Sequence, residues 1–194
     1  MAKLTVVFKL IGTRPLLTHS TRGMKPAESG IGKKQIPSPA EEAELGLYYN
    51  NEKQYCFPVI GVRNAALGAS KTNRMKFGKA SAYPILAASV FPAEEFTPIL
   101  DPESAKPLTT YQIDVRPAVI QGKRVMRARP RFDKWMLRVA FELDDTATGS
   151  MKRLGDALLT VLRMAGQTIG IGDYRPQKGG MFGLFTVELE TKIE

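Results

Sequence analysis

Cysteine and histidine are nearly missing from this sequence: Cys56 and His19 are the only examples in 194 residues. A lone cysteine excludes an internal disulfide and a cysteine metal cluster, and it agrees with a reducing, cytoplasmic home. One histidine leaves little for a Ser-His-Asp or Cys-His arrangement. His19, between Thr18 and Ser20, is the single candidate general base for RNA cleavage, against the plainer reading of an exposed loop residue. Carboxylates are scattered or lie in exposed acidic stretches, and Asp144-Asp145 reads as a turn, so metal-assisted hydrolysis finds no constellation. Gly30-Ile31-Gly32-Lys33-Lys34 lacks the spacing and the hydroxyl of a P-loop. No cofactor or metal is expected, and the chain is read as a non-enzyme.

Long hydrophobic runs are also missing. Nothing approaches the roughly 18 apolar residues of a membrane helix, there is no amphipathic basic helix, and no repeat or heptad seam appears. The opening residues pass straight into a strand pattern, which does not read as a signal peptide. No membrane partner is expected.

What the sequence has in excess is positive charge, +9 with a pI near 9.7. A balance of this size favours a polyanionic partner such as RNA or DNA; the alternative is that it serves solubility. An apolar fraction of 43% with 24% charged residues is that of an ordinary globular chain. One domain spanning 1–194 is the expectation.

Residues 3–11 alternate, with Leu4, Val6, Phe8 and Leu10 on one face, and predict a half-buried strand. A basic stretch rich in glycine and proline follows over 13–39, long enough to read as functional or mobile. Residues 40–49 predict a short helix, 55–58 a brief strand, and 59–71 a helix leaving into Lys71, Arg74, Lys76 and Lys79. Residues 84–107 read as a strand and a long loop. A hairpin over 111–132 turns at Gln121-Gly122, and a strand over 135–143 follows. Residues 151–165 carry one apolar stripe and predict a helix stopped by Gly166. A glycine-rich loop over 166–183 leads into a last strand. This order fits an α+β protein, an antiparallel sheet with helices on one face plus an extra hairpin and long loops.

Two features point to nucleic acid. Alternation along the second hairpin strand places Lys123, Arg127, Arg129 and Arg131 on one face, and over 123–138 seven cations (Arg124, Lys134 and Arg138 complete the set) meet Asp133 alone. Same-face residues recur about every 6.5–7 Å, close to the phosphate spacing of an extended strand, and arginine forks match phosphate. The competing reading is an edge strand guarded by charge. The second feature is the loop over 166–183, with Arg175, Lys178 and Tyr174. Its glycines would let backbone amides approach a phosphate, and Tyr174 or Phe182 would stack on a base. Here the competing reading is a tight structural loop. Lys71, Arg74 and Lys76 would extend the track.

The helix over 154–165, Gly170-Ile171-Gly172 and Gly179-Gly180-Met181-Phe182-Gly183 resemble the glycine-rich loop and final strand of the RAMP superfamily, the ferredoxin-like RNA-binding proteins of CRISPR effector and guide-processing complexes. Phe57 to Leu67 is similar to the entry of that family's first helix. Gly172–Pro176 and Arg124–Pro130 also resemble motifs of a group of small phage and prophage proteins of unassigned role. The resemblance implies a ferredoxin-like sheet, binding of guide RNA or another single strand of RNA or DNA, and assembly as a homo-oligomer or within a larger ribonucleoprotein. A phage origin would place it in the bacterial host cytosol. Two other roles stay open: a guide-processing endonuclease using His19, and a phage module that binds or inhibits a protein.

Overall fold

A computed structural model describes residues 3–21, 37–120 and 122–190. The first strand, β1 (Lys3–Gly12), is followed by the two-residue β2 (Leu16–Leu17) and the helix α1 (Pro39–Leu45). Residues 22–36, most of the predicted basic loop, lie outside the described residues. Ser38 starts α1 as a capping box. Its hydroxyl accepts from the Glu41 amide at 3.3 Å, and the Glu41 carboxylate accepts from the Ser38 amide at 2.8 Å.

Two short strands, β3 (Tyr48–Tyr49) and β4 (Tyr55–Pro58), lead into α2 (Val59–Thr72). A small hairpin follows, β5 (Lys76–Phe77) with β6 (Ala80–Ser81), and then α3 (Ala82–Ser89). That helix corrects the reading of 84–107 as strand and loop alone. Pro84 falls within the first turn, where its missing N–H costs nothing, so it does not act as a breaker. The short strands β7 (Val90–Pro92) and β8 (Phe96–Pro98) complete this region. The long hairpin is β9 (Gln112–Ile120) and β10 (Lys123–Phe132), followed by β11 (Met136–Asp144), α4 (Met151–Thr168) and β12 (Phe185–Leu189).

The main sheet runs β12-β1-β11-β7, antiparallel throughout. Taking these four strands with α2 and α4 gives strand-helix-strand-strand-helix-strand with spatial order 4-1-3-2, a ferredoxin-like α+β fold. Alternation sends Val6, Phe8, Leu10, Leu137, Val139, Phe141 and Leu143 to one buried face. Against it pack Val62, Ala66 and Ala69 of α2 and Leu154, Leu158, Val161 and Leu162 of α4. The other face shows Thr5, Arg138 and Glu142 to solvent.

Gly166 does not stop α4; the helix continues to Thr168. Its glycine serves close packing instead, because a Cβ there would stand 2.1 Å from the Phe185 carbonyl oxygen. Two smaller sheets, β2-β10-β9 and β3-β4-β8, sit beside the main one. The long hairpin belongs to the first of these, outside the main sheet, and joins the core through Phe132 at the end of β10.

Candidate nucleic-acid interface

The long hairpin has two unlike faces. In antiparallel register Asp114 lies opposite Arg129, Arg116 opposite Arg127 and Gln112 opposite Arg131. Cross-strand partners share a face, so this side is a charged plate. The reverse side carries Val115, Val119 and Met126, the last two 69% and 61% exposed.

The charged plate lies on the glycine-rich loop. Arg129 pairs with Asp173 through its Nε, and its guanidinium stands 5.6 Å from the centre of the Tyr174 ring. Arg116 and Arg131 lie over Phe182 at 4.5 and 6.0 Å. The Tyr174 hydroxyl donates to the Pro117 carbonyl at 3.2 Å. The two stretches singled out from sequence are therefore brought together, but they face each other.

That arrangement corrects the picture of a free arginine row. Arg129 is only 7% exposed, and its Nη1 is buried with no hydrogen-bond partner among the described residues. Arg131 pairs with Asp133 at 2.6 Å and reaches Asp114 at 3.7 Å. Arg116 binds Asp114 at 2.6 Å, and this hydrogen bond raises its already high pKa. Arg127 is held at 2.6 Å by Glu42 of α1, whose other oxygen accepts the Ala128 amide at 3.0 Å. That carboxylate seals the open side of β10. Arg124 is exposed, and the side chain of Lys123 and the turn residue Gln121 lie outside the described residues. The expected stacking rings are engaged as well, since Phe182 is buried beneath two guanidiniums.

The glycines of the loop answer to packing. A Cβ on Gly180 would stand 1.7 Å from the Tyr174 carbonyl oxygen. Gly172 has φ +75°, and a Cβ there would meet the Leu17 oxygen at 2.3 Å. Tyr174 itself is left-handed at φ +53°, an uncommon conformation for a residue with a ring and one that concentrates at working sites.

Beside this loop opens a cleft of about 460 Å³. Its walls are the start of α2 (Pro58, Gly61, Asn64), the loop (Gly170, Gly172, Asp173, Arg175, Gln177), His19 and Tyr48. The α2 end facing it has no side-chain cap and no acidic residue in its first turn. Val59 donates to the Glu95 carbonyl at 2.9 Å, while the next amides of the turn keep the partial positive charge of a helix start. The Arg175 guanidinium donates to the Gly172 carbonyl at 2.8 Å and to Gln177 at 3.1 Å. Tyr48 donates its hydroxyl to the His19 carbonyl at 3.0 Å. Burial first, then the nearby Cys56 and Asp173, push its pKa up, so the phenol stays protonated.

Sequence reasoning names His19 and Arg175 but misses Asn64, Gly61 and Tyr48 as members of one site. Their signal is the segment Phe57 to Leu67, whose helix entry is what the cleft uses. Lys178 is exposed in a short helical turn, Pro176–Lys178, within the loop. Lys71, Arg74 and Lys76 fall at the far end of α2 and do not reach the cleft. Among the described residues no metal-ligand group of three or more occurs, and no helix is long and apolar enough to cross a membrane.

No family model matches the chain, and no curated protein matches it. Among solved structures it is similar to a chain of the Type III-B Cmr-beta bound to cognate target RNA, with a TM-score of 0.50 at 12% identity over 99% of this chain. This chain spans 60% of the length of that one. Cmr6 from Pyrococcus furiosus aligns over 96% of this chain and 99% of its own, at 10% identity and a TM-score of 0.47. At such identities the likeness is one of fold.

Proposed function

We propose that this protein is a non-catalytic binder of single-stranded RNA that holds the strand's backbone in the cleft between α2 and the glycine-rich loop. The observation carrying this reading is the uncapped, acid-free start of α2 opening into a cleft beside Arg175 and Asn64. A phosphate placed there meets the N-terminal amides of a helix and a guanidinium that forks onto its oxygens. The fold likeness to a chain of an RNA-bound complex supports RNA over DNA as the polymer. The hairpin arginines then serve the site indirectly: they clamp the loop that forms one wall of the cleft.

His19 lines the same cleft, but general acid-base cleavage of RNA asks for a second proton-transfer group in position, and the other titratable groups lining it among the described residues are engaged: Asp173 pairs with Arg129, and the Tyr48 hydroxyl donates to the His19 carbonyl. The test is fluorescence anisotropy with single-stranded RNA, single-stranded DNA and duplex DNA. Arg175→Glu and Asn64→Asp are expected to weaken RNA binding by tenfold or more, from the roughly 1.5–3 kcal/mol of a charge-assisted hydrogen bond. His19→Ala is expected to leave the RNA uncut, as does the parent chain. Normal binding by both cleft variants refutes the site, and cleavage lost on His19→Ala refutes the non-catalytic part.

A further inference from the structure

Arg116, Arg127, Arg129 and Arg131 of the hairpin are each paired with a carboxylate, so other cations contribute more of the unpaired positive charge. Five cations that share no ion pair with any described residue meet at the opposite end of the helical layer. Lys71 lies in the last turn of α2, Arg74 follows the helix, Lys76 and Lys79 belong to the β5–β6 hairpin, and Arg153 lies in the first turn of α4. All five are exposed. Arg153 stands 4.8 Å over the Phe77 ring and ties the hairpin to the helix, and Lys71 lies 5.9 Å from the Tyr83 ring. Lys76, Arg153, Asp156 and Thr160 line a groove of about 230 Å³ between them. Asp156 is the one acid in that lining.

Local stability accounts for part of this set only. Lys71 and Arg74 sit at the negative end of the α2 dipole, where cations are favoured. Arg153 sits at the positive end of α4, whose first turn holds no acid, and there a cation is disfavoured. Lys76 and Lys79 lie on a two-stranded hairpin with no dipole to answer. Phe77 gives Arg153 one neutral partner, but these five exposed cations share no ion pair with any described residue and the groove between them holds one acid, which leaves a surface suited to an external anion.

We propose that this end of the molecule is a second phosphate-binding surface that takes the backbone of the RNA strand after it leaves the cleft. It rests on the preceding reading for the identity of the polymer and for the cleft as the place from which the strand runs. α2 has 14 residues, which places the surface about 21 Å from the cleft. Four of the five cations come from residues 71–79, and lysines predominate, so the contact is to backbone charge and carries no sequence preference.

Lys71→Gln/Lys76→Gln/Lys79→Gln in the full chain removes three exposed charges. Binding to single-stranded RNA of about 4 and about 16 nucleotides, a range typical of single-strand sites, is measured across a salt series. For the long RNA the slope of log affinity against log salt is expected to become shallower by about 2, from roughly 0.7 per phosphate contact. Affinity for it drops tenfold or more, while the short RNA is unaffected. An unchanged slope on the long RNA overturns the proposal, and so does an equal loss on both lengths. Failure of Arg175→Glu to weaken the short RNA removes the cleft reading alone, because the long-RNA slope still reports on this surface.

Discussion

Asp173→Asn isolates the contact between hairpin and loop. In the native protein Arg129 is buried and its charge is balanced by one carboxylate, while its Nη1 has no acceptor among the described residues. Replacing the carboxylate by an amide preserves the shape and keeps an oxygen for the Tyr174 amide, which donates to it at 2.9 Å. It leaves a buried guanidinium unbalanced. Removing one partner of such a pair costs about 3–5 kcal/mol, and because Asp173 is 31% exposed the lower end applies. At roughly 2–4 °C per kcal/mol for a chain of this size, thermal unfolding followed by circular dichroism should fall by about 6–12 °C. Arg129→Met deletes the buried charge and leaves a carboxylate that water reaches, so its loss should be smaller. The double variant should be more stable than Asp173→Asn. An Asp173→Asn midpoint within about 2 °C of the parent, or a larger loss for Arg129→Met, refutes the argument that the buried cation sets the cost.

Two further outcomes follow from other contacts. Glu42→Ala bares the Ala128 amide on the open side of β10, so its hydrogen exchange should accelerate at least tenfold while the β11 amides of the main sheet stay protected; equal rates would show that Glu42 does not seal this edge. Burial, with Glu95 nearby, pushes the Cys56 thiol up from 9.0 to about 12, which lowers its thiolate fraction about a thousandfold. Alkylation by iodoacetamide at pH 8.5 should therefore be slower in the native chain than in urea by that order. The folded thiol contributes stability below the unfolded pKa that is lost as pH climbs toward the folded value, so comparable alkylation rates would contradict both statements.

Regular alternation makes the main sheet readable from the amino-acid order alone. The faces it assigns to β1 and β11 are the buried ones, and the amphipathic stripe of α4 is buried where the spacing puts it. Short elements are less legible. Helix α3 is hidden by a proline that sits in its permissive first turn. Arginine spacing on β10 locates a real cluster, but alternation along one strand says nothing of what lies opposite the face it defines. Asp114 stands on the paired strand and Asp173 in a loop about 40 residues on; only the fold brings them to Arg129 and Arg131. Glycines in a basic loop suggest room for a phosphate, whereas at Gly180 the space is filled by the protein's own carbonyl group. Asn64 and Gly61 look like plain helix positions, because a cleft is a relation between segments.

The opposed directions of α2 and α4 carry a consequence for how a ligand would arrive. α2 begins at the cleft and α4 ends beside it, at Thr168 just before Gly170. The positive end of one dipole and the negative end of the other are thus side by side, and their fields cancel within a short distance. A polyanion would feel little pull toward the cleft until it was nearly in contact. Long-range capture falls to side-chain charge, including the exposed cations at the other end of the same helices. With the two proposed surfaces at opposite ends, one would attract and the other recognise, so salt should slow encounter far more than it loosens the grip of the cleft.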